Sequence, residues 1–149
     1  MRILSKVEKT PKLLYPCPRC AGFRHLEPWT CVLKIGLVSP YDFAVPGGVG
    51  AHIQHLAVEF KRLGHELKII APSSVPVETL GIDNFIRMGV PVPVPGGGSS
   101  ARLSFSLWLF PKAREILQRE QFDILHLHEP MVPIVPLAFL QYSSSINIG

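Results

Sequence analysis

Cysteine is absent after Cys31, and the three present, Cys17, Cys20 and Cys31, crowd into the first 31 residues. An odd number in one short stretch excludes a disulfide framework for the rest of the chain. Long apolar runs are also missing. The longest late uncharged stretch, residues 131–149, is interrupted by Pro133, Pro136, Gln141 and three serines, which excludes a transmembrane helix there. Near the start, the apolar patch at residues 13–15 is too short for a secretory signal, and charges recur after it. Cytoplasmic residence is the resulting expectation. No Gly-Lys-Ser or Gly-Lys-Thr occurs, which excludes a P-loop. A basic surface is lacking too, despite a formal charge of +4: residues 1–31 hold six basic and two acidic residues, whereas the remainder balances nine against nine. Nucleic acid is therefore not an expected partner of the main domain.

What remains is a globular composition, 149 residues with 47% hydrophobic and 17% charged content, enough for one domain with a sizeable core. Residues 1–32 carry no sustained period and are broken by Pro11, Pro16, Pro18 and Pro28. They read as a poorly ordered leader or a mis-started extension. Their one chemical feature is Cys17-Pro-Arg-Cys20 followed by His25 and Cys31, a zinc-knuckle-like set with one extra residue before the last ligand. A single CxxC with altered spacing is a weak metal signal, so no metal is expected.

Regular patterning starts at Leu33. Leu33, Ile35, Leu37 and Val38 form a short apolar run suited to a strand buried on both faces, and a loop then closes on Gly47, Gly48 and Gly50. Val49, Ile53, Leu56, Ala57, Phe60 and Leu63 follow at helical spacing to a stop at Gly64, and residues 66–71 read as a second strand. This strand, glycine loop, helix and strand make a β-α-β unit. Glycines let a backbone approach a ligand closely, and the free N–H groups of a first helical turn favour an anion such as phosphate. The alternative is a plain tight turn. A dinucleotide site is disfavoured, because Ile53 stands at the third glycine position and Ala71-Pro72-Ser73 replaces the acidic residue expected to bind a ribose.

Residues 73–100 look irregular, with a short strand near 85–88, an extended Pro91, Pro93, Pro95 stretch and a second flexible glycine loop at 96–100. An apolar cluster at 103–110 leads into a helix to Gln121 that Pro111 should start or kink. Lys112, Arg114 and Arg119 beside Trp108 and Phe110 could suit a membrane surface, although core packing is the expected role of the aromatics. Ile124, Leu125 and Leu127 make a central strand, with His126, His128 and Glu129 gathering at its C-terminal end, where open α/β sheets place ligands. A metal pair is conceivable there, but hydrogen bonding to a polar ligand or the glycine loop is the simpler role. A helix over 131–142 and a last strand over 146–149 complete the reading.

Several of these motifs together carry a resemblance: Gly64-His65-Glu66, Gly98-Ser99-Ser100-Ala101-Arg102-Leu103, His126-Leu127-His128-Glu129-Pro130, and Pro-Tyr-x-Phe-x-Val-Pro-Gly-Gly-Val at residues 40–49. In order and spacing they resemble the N-terminal domain of the GT-B fold, family 4 glycosyltransferases, closest to the phosphatidylinositol mannosyltransferase group. The resemblance covers residues 33–149. It implies an α/β fold with a Rossmann-like parallel sheet and flanking helices, the N-terminal half of a GT-B fold, ending here within its last strand. It also implies a retaining transfer of a sugar from a nucleotide-sugar donor, GDP-mannose or a UDP-sugar, to a lipid or glycan acceptor, without a cofactor and with peripheral contact at the inner face of a membrane. In such enzymes the equivalents of Gly47 and Gly48 approach the donor diphosphate. Tyr41, Ser99 and Arg102 become candidates for acceptor contacts, with Arg102 suited to bidentate binding of a lipid phosphate. His126, His128 and Glu129 would line the site. Gly97 stands where the family has an asparagine, the family's functional histidine falls beyond Gly149, and most donor contacts lie in a second domain. The expectation is a fragment inactive by itself; the alternative is a non-catalytic binding module with the zinc-knuckle-like leader.

Overall fold

A computed structural model describes residues 32–96 and 99–149. The order is β1 (Lys34–Val38), α1 (Gly48–Arg62), β2 (Glu66–Ala71), α2 (Val77–Leu80), β3 (Phe85–Arg87), β4 (Val92–Gly96), β5 (Ser99–Leu103), α3 (Leu109–Glu120), β6 (Ile124–Leu127), α4 (Val135–Tyr142) and β7 (Ile146–Ile148). The candidate zinc ligands Cys17, Cys20, His25 and Cys31 lie outside the described residues, as does Gly97.

Five strands form one parallel sheet in the order β3-β2-β1-β6-β7, with β1 at its centre. Strand alternation divides the core into two layers. Ile35 and Leu37 of β1 and Leu67, Ile69 and Ala71 of β2 turn toward Ile53 of α1. Val38, Ile70, Leu125 and Leu127 face Ala113, Ile116 and Leu117 of α3 and Val135, Ala138 and Phe139 of α4. Each fully buried aliphatic side chain in such layers contributes about 1.5–3 kcal/mol over leaving it exposed. Gly36 is required for this packing, since a Cβ there would sit 2.7 Å from Leu125 Cδ2 and 3.3 Å from Phe122 Cε1.

Helix α1 has the apolar stripe read from its sequence, and Gly64, at φ +87°, closes it after the basic Lys61 and Arg62 of its last turn. It begins at Gly48, one residue before the Val49 that opens the stripe, so Gly48 and Gly50, read from the sequence as part of the loop, lie inside its first turn. Three other expectations are corrected. Residues 92–103 form an antiparallel hairpin, β4 on β5, instead of an irregular stretch with a free loop. Prolines at every second position strip donors from only one edge of a strand, and a two-stranded ribbon has a free edge. The helix expected from Met131 starts at Val135, because Pro133 and Ile134 at φ +80° interrupt it and Pro136 then sits in its first turn. Finally, Leu107 and Trp108 do not pack in the core: they are 75% and 82% exposed, while Leu109 is buried and Phe110 packs against the α3 and α4 layer. Among the described residues no helix is long and apolar enough to cross a membrane.

Candidate functional site

The C-terminal edge of β1 opens into a pocket of about 290 Å³, lined by the segment from Ser39 to Gly50 and by Ala101 and Arg102 of β5. Three connections converge there. The hairpin is drawn onto the loop after β1 by the isolated bridge between Tyr41 and Leu103, and Asp42 N–H donates to Arg102 O at 3.0 Å. The loop after β2 joins through Phe43 N–H, which donates to Pro72 O at 2.9 Å.

The glycine loop forms one wall. Gly47 is the N-cap of α1, with no side chain bonded to the exposed N–H groups and no acidic residue in the first turn. Those donors, and the positive end of the helix dipole, are thus unspent on the described residues. A Cβ added at Gly47, Gly48 or Gly50 would meet nothing within 4 Å, and none of the three has a positive φ. Neither packing among the described residues nor backbone conformation calls for glycine at these positions. What the glycines leave is open space against uncapped N–H groups.

Opposite stands Arg102, whose side chain is 39% exposed and whose Nε lies 3.0 Å from Asp42 Oδ2. The two are an ion pair by distance but are not aligned as a hydrogen bond, and both atoms are buried without a hydrogen-bond partner among the described residues. Asp42 is otherwise fixed: Oδ1 accepts from the N–H of Ala44 at 3.1 Å and of Ser74 at 3.0 Å. Tyr41 reaches the other way, donating its phenol to Glu129 Oε2. That hydrogen bond, with burial and the Glu129 charge adding to it, pushes the phenol up to about 12. Glu129 sits at φ +49°, and Ile134 at +80°, so the connection after β6 holds two non-glycine residues in the left-handed region.

The histidines make a separate cluster. The His126 and His128 rings stack at 4.4 Å between centroids, and His52 of α1 meets His128 edge-on at 5.5 Å. His128 Nδ1 lies 3.2 Å from Val38 O. An N–H there makes Nδ1 the donor, leaving buried Nε2 as an acceptor without a partner among the described residues. Burial lowers the pKa of both rings, with the neighbouring imidazoles adding to it, which favours the neutral forms. Among the described residues no group of three or more histidine, cysteine, aspartate or glutamate side chains is arranged to hold a metal ion.

The structure therefore brings Tyr41, Gly47, Gly48 and Arg102 to one pocket. Glu129 joins it through Tyr41, whereas His126 and His128 do not line it and pack instead with His52 of α1. Ser99 opens β5. Asp42 was missed in the sequence. Its only signal there was a carboxylate within an apolar Pro-Tyr-x-Phe run, and the partner that gives it meaning is remote in the chain.

Comparison with known proteins adds the following. Residues 46–146 match the model of Glycosyltransferase Family 4. The chain is similar to the phosphatidyl-myo-inositol mannosyltransferase of Mycolicibacterium smegmatis, 39% identical over 109 residues, or 73% of this chain and 28% of that protein. It is 41% identical over 108 residues to the protein of that name from Mycobacterium tuberculosis H37Rv, covering 72% of this chain and 28% of the relative. It is likewise 41% identical over 113 residues to that of Propionibacterium freudenreichii, covering 72% and 30%. The chain thus spans less than a third of the length of these relatives.

Proposed function

Because the chain belongs to glycosyltransferase family 4, we propose that its pocket is the acceptor-side part of a site where a sugar passes from a nucleotide donor to a lipid or glycan acceptor. The observation that carries this reading is the open space at Gly47, Gly48 and Gly50 beside the uncapped start of α1. A diphosphate can approach such a surface closely, accept its N–H groups and gain from the helix dipole. In this reading Gly47 and Gly48 face the donor diphosphate. Arg102 and Tyr41 face the acceptor, with Ser99 at the start of the same strand as Arg102 a further candidate contact, and the guanidinium supplies a planar fork for a phosphate. His126, His128 and Glu129 support the site from the end of β6, Glu129 by holding the Tyr41 phenol and the histidines by packing against His52 of α1. The curated relatives carry the name phosphatidyl-myo-inositol mannosyltransferase, which favours a mannosyl donor and a lipid phosphodiester.

Titration of the isotope-labelled chain with GDP-mannose, and with a UDP-sugar in parallel, tests the reading by NMR. Saturable shifts of the Gly48, Val49 and Gly50 amides are expected. Shifts confined to other parts of the chain, or none, would overturn it.

Peripheral contact with a membrane is supported by a different observation. Phe105, Leu107 and Trp108 are 45%, 75% and 82% exposed and adjoin the basic residues Lys112 and Arg114 of α3. Apolar side chains beside cations suit the headgroup region of an anionic bilayer. The basic contribution is modest, since Lys112 Nζ donates to Arg87 O and Arg119 pairs with Glu115 and Glu120.

A further inference from the structure

The three histidines at the end of β6 and the start of α1 meet one another and no acid. His126 and His128, two apart on β6, share a face with ring centroids 4.4 Å apart, and His52 reaches His128 from α1 at 5.5 Å. His128 is buried, its Nδ1 lies 3.2 Å from Val38 O, and its Nε2 has no partner among the described residues. The neighbouring elements bring no counter-charge. Strand β1 offers the Val38 carbonyl, β7 sets Ile148 beside His126 in register, and α1 offers His52. Glu129, next in the chain, accepts from the Tyr41 phenol, and Asp42 is taken up by Ala44, Ser74 and Arg102. The charges acting on the two β6 rings are those of the other imidazoles.

A proton added here is opposed in three ways. A protonated imidazole donates from both nitrogens, so His128 Nε2 becomes a buried donor with nothing to accept from it. Burial disfavours the charge itself, and a second proton on a ring a few ångströms away adds repulsion. Parting the rings and admitting water relieves all three. The contacts that part are those of His52 with His128 and of the His128 ring with Val38 O, and Val38 directly precedes the pocket-lining Ser39.

We propose that His52, His126 and His128 form a proton-sensitive latch: neutral, the rings hold the first turns of α1 to the ends of β1 and β6, and protonated, they release them. The device stands whatever ligand the pocket takes. Its direction follows from linkage. The His126 and His128 pKa values lie below the ordinary 6.5, because of burial and the neighbouring imidazoles, so the closed form takes protons less readily than the open one. Latching is therefore fully present above 6.5 and is lost as pH falls from there through the lowered values.

Amide hydrogen exchange of the full chain, corrected for the intrinsic pH dependence of exchange, tests this between about pH 7.5 and 5.5, where ordinary carboxylates stay ionised. The amides to follow are those of His52 and Ile53 in α1 and of His128, whose N–H donates to Val38 O at 2.9 Å. Below the ordinary histidine value their protection is expected to fall by about tenfold per pH unit for each proton taken up on opening, while residues 67–70 of β2 keep theirs. Protection that is indifferent to pH at His52, Ile53 and His128, or that falls equally in β2, overturns the proposal. Two variants separate the latch from a merely structural cluster. His126→Phe keeps a flat ring against His128 without a titrating nitrogen, and His52→Gln removes the α1 ring at an exposed position where folding is little affected. Each is expected to flatten the pH dependence, and an undiminished dependence in either folded variant overturns the proposal.

Discussion

Gly36 and Gly48 belong to the same strand-loop-helix stretch and are the same residue for opposite reasons. At Gly36 the space a side chain would take is already filled, by Leu125, Phe122 and Ile70. At Gly48, as at Gly47 and Gly50, that space is empty, and the backbone is one that other residues adopt. The first glycine is explained by the fold. Nothing among the described residues explains the others, and the uncapped N–H groups beside them point to an anion. A glycine's meaning therefore lies in what surrounds it, and a motif alone does not reveal it.

The comparison can be broken first at its packed end, where the largest effect is expected. Gly36→Val overfills the layer between β1 and α3 and should cost about 2–3 kcal/mol, toward the upper end of overpacking effects. A urea titration would show it as a lower midpoint. A midpoint equal to wild type would mean that Gly36 is no more constrained than the loop glycines.

Exposed aromatics extend the contrast between residues kept for the fold and residues kept for a partner. Trp108→Ser should leave the melting temperature nearly unchanged, since 82% of the side chain is in water, yet lower partitioning onto anionic vesicles about tenfold. Sedimentation with vesicles measures this. Equal partitioning of variant and wild type would remove Trp108 from the membrane reading.

A smaller effect concerns the far side of the pocket. With its phenol raised to about 12, Tyr41 resists ionisation in the folded chain. The sign follows from linkage: the contribution to stability is fully present below the ordinary tyrosine value of about 10 and is lost as pH rises from there through about 12. Ultraviolet titration should find one tyrosine ionising late, and Glu129→Gln should move that ionisation toward the ordinary value. No movement would show that Glu129 does not hold the phenol.

Much of the scaffold was legible from period alone. Leu33 to Val38, the stripe of α1 and the β6 strand each satisfy a local rule, and a parallel sheet follows from their order. What escaped was set by remote partners. The hairpin is made of prolines and glycines that read locally as a connector, and its place depends on the Tyr41 to Leu103 bridge. Leu107 and Trp108 are as hydrophobic as Leu109, and only the packed structure separates the buried from the exposed. The pocket's glycines and Arg102 were found by motif. Asp42 was not, because a lone carboxylate has no signature until Arg102, Ser74 and Ala44 are seen around it.

The central claim is that the loop glycines are kept for a donor diphosphate. Gly48→Val tests it most directly, by GDP-mannose titration of variant and wild type beside a thermal melt of each. The account predicts a melt close to wild type, because a Cβ at Gly48 meets nothing within 4 Å, together with loss of the saturable shifts at the first turn of α1. Undiminished donor binding by a folded Gly48→Val chain would contradict it.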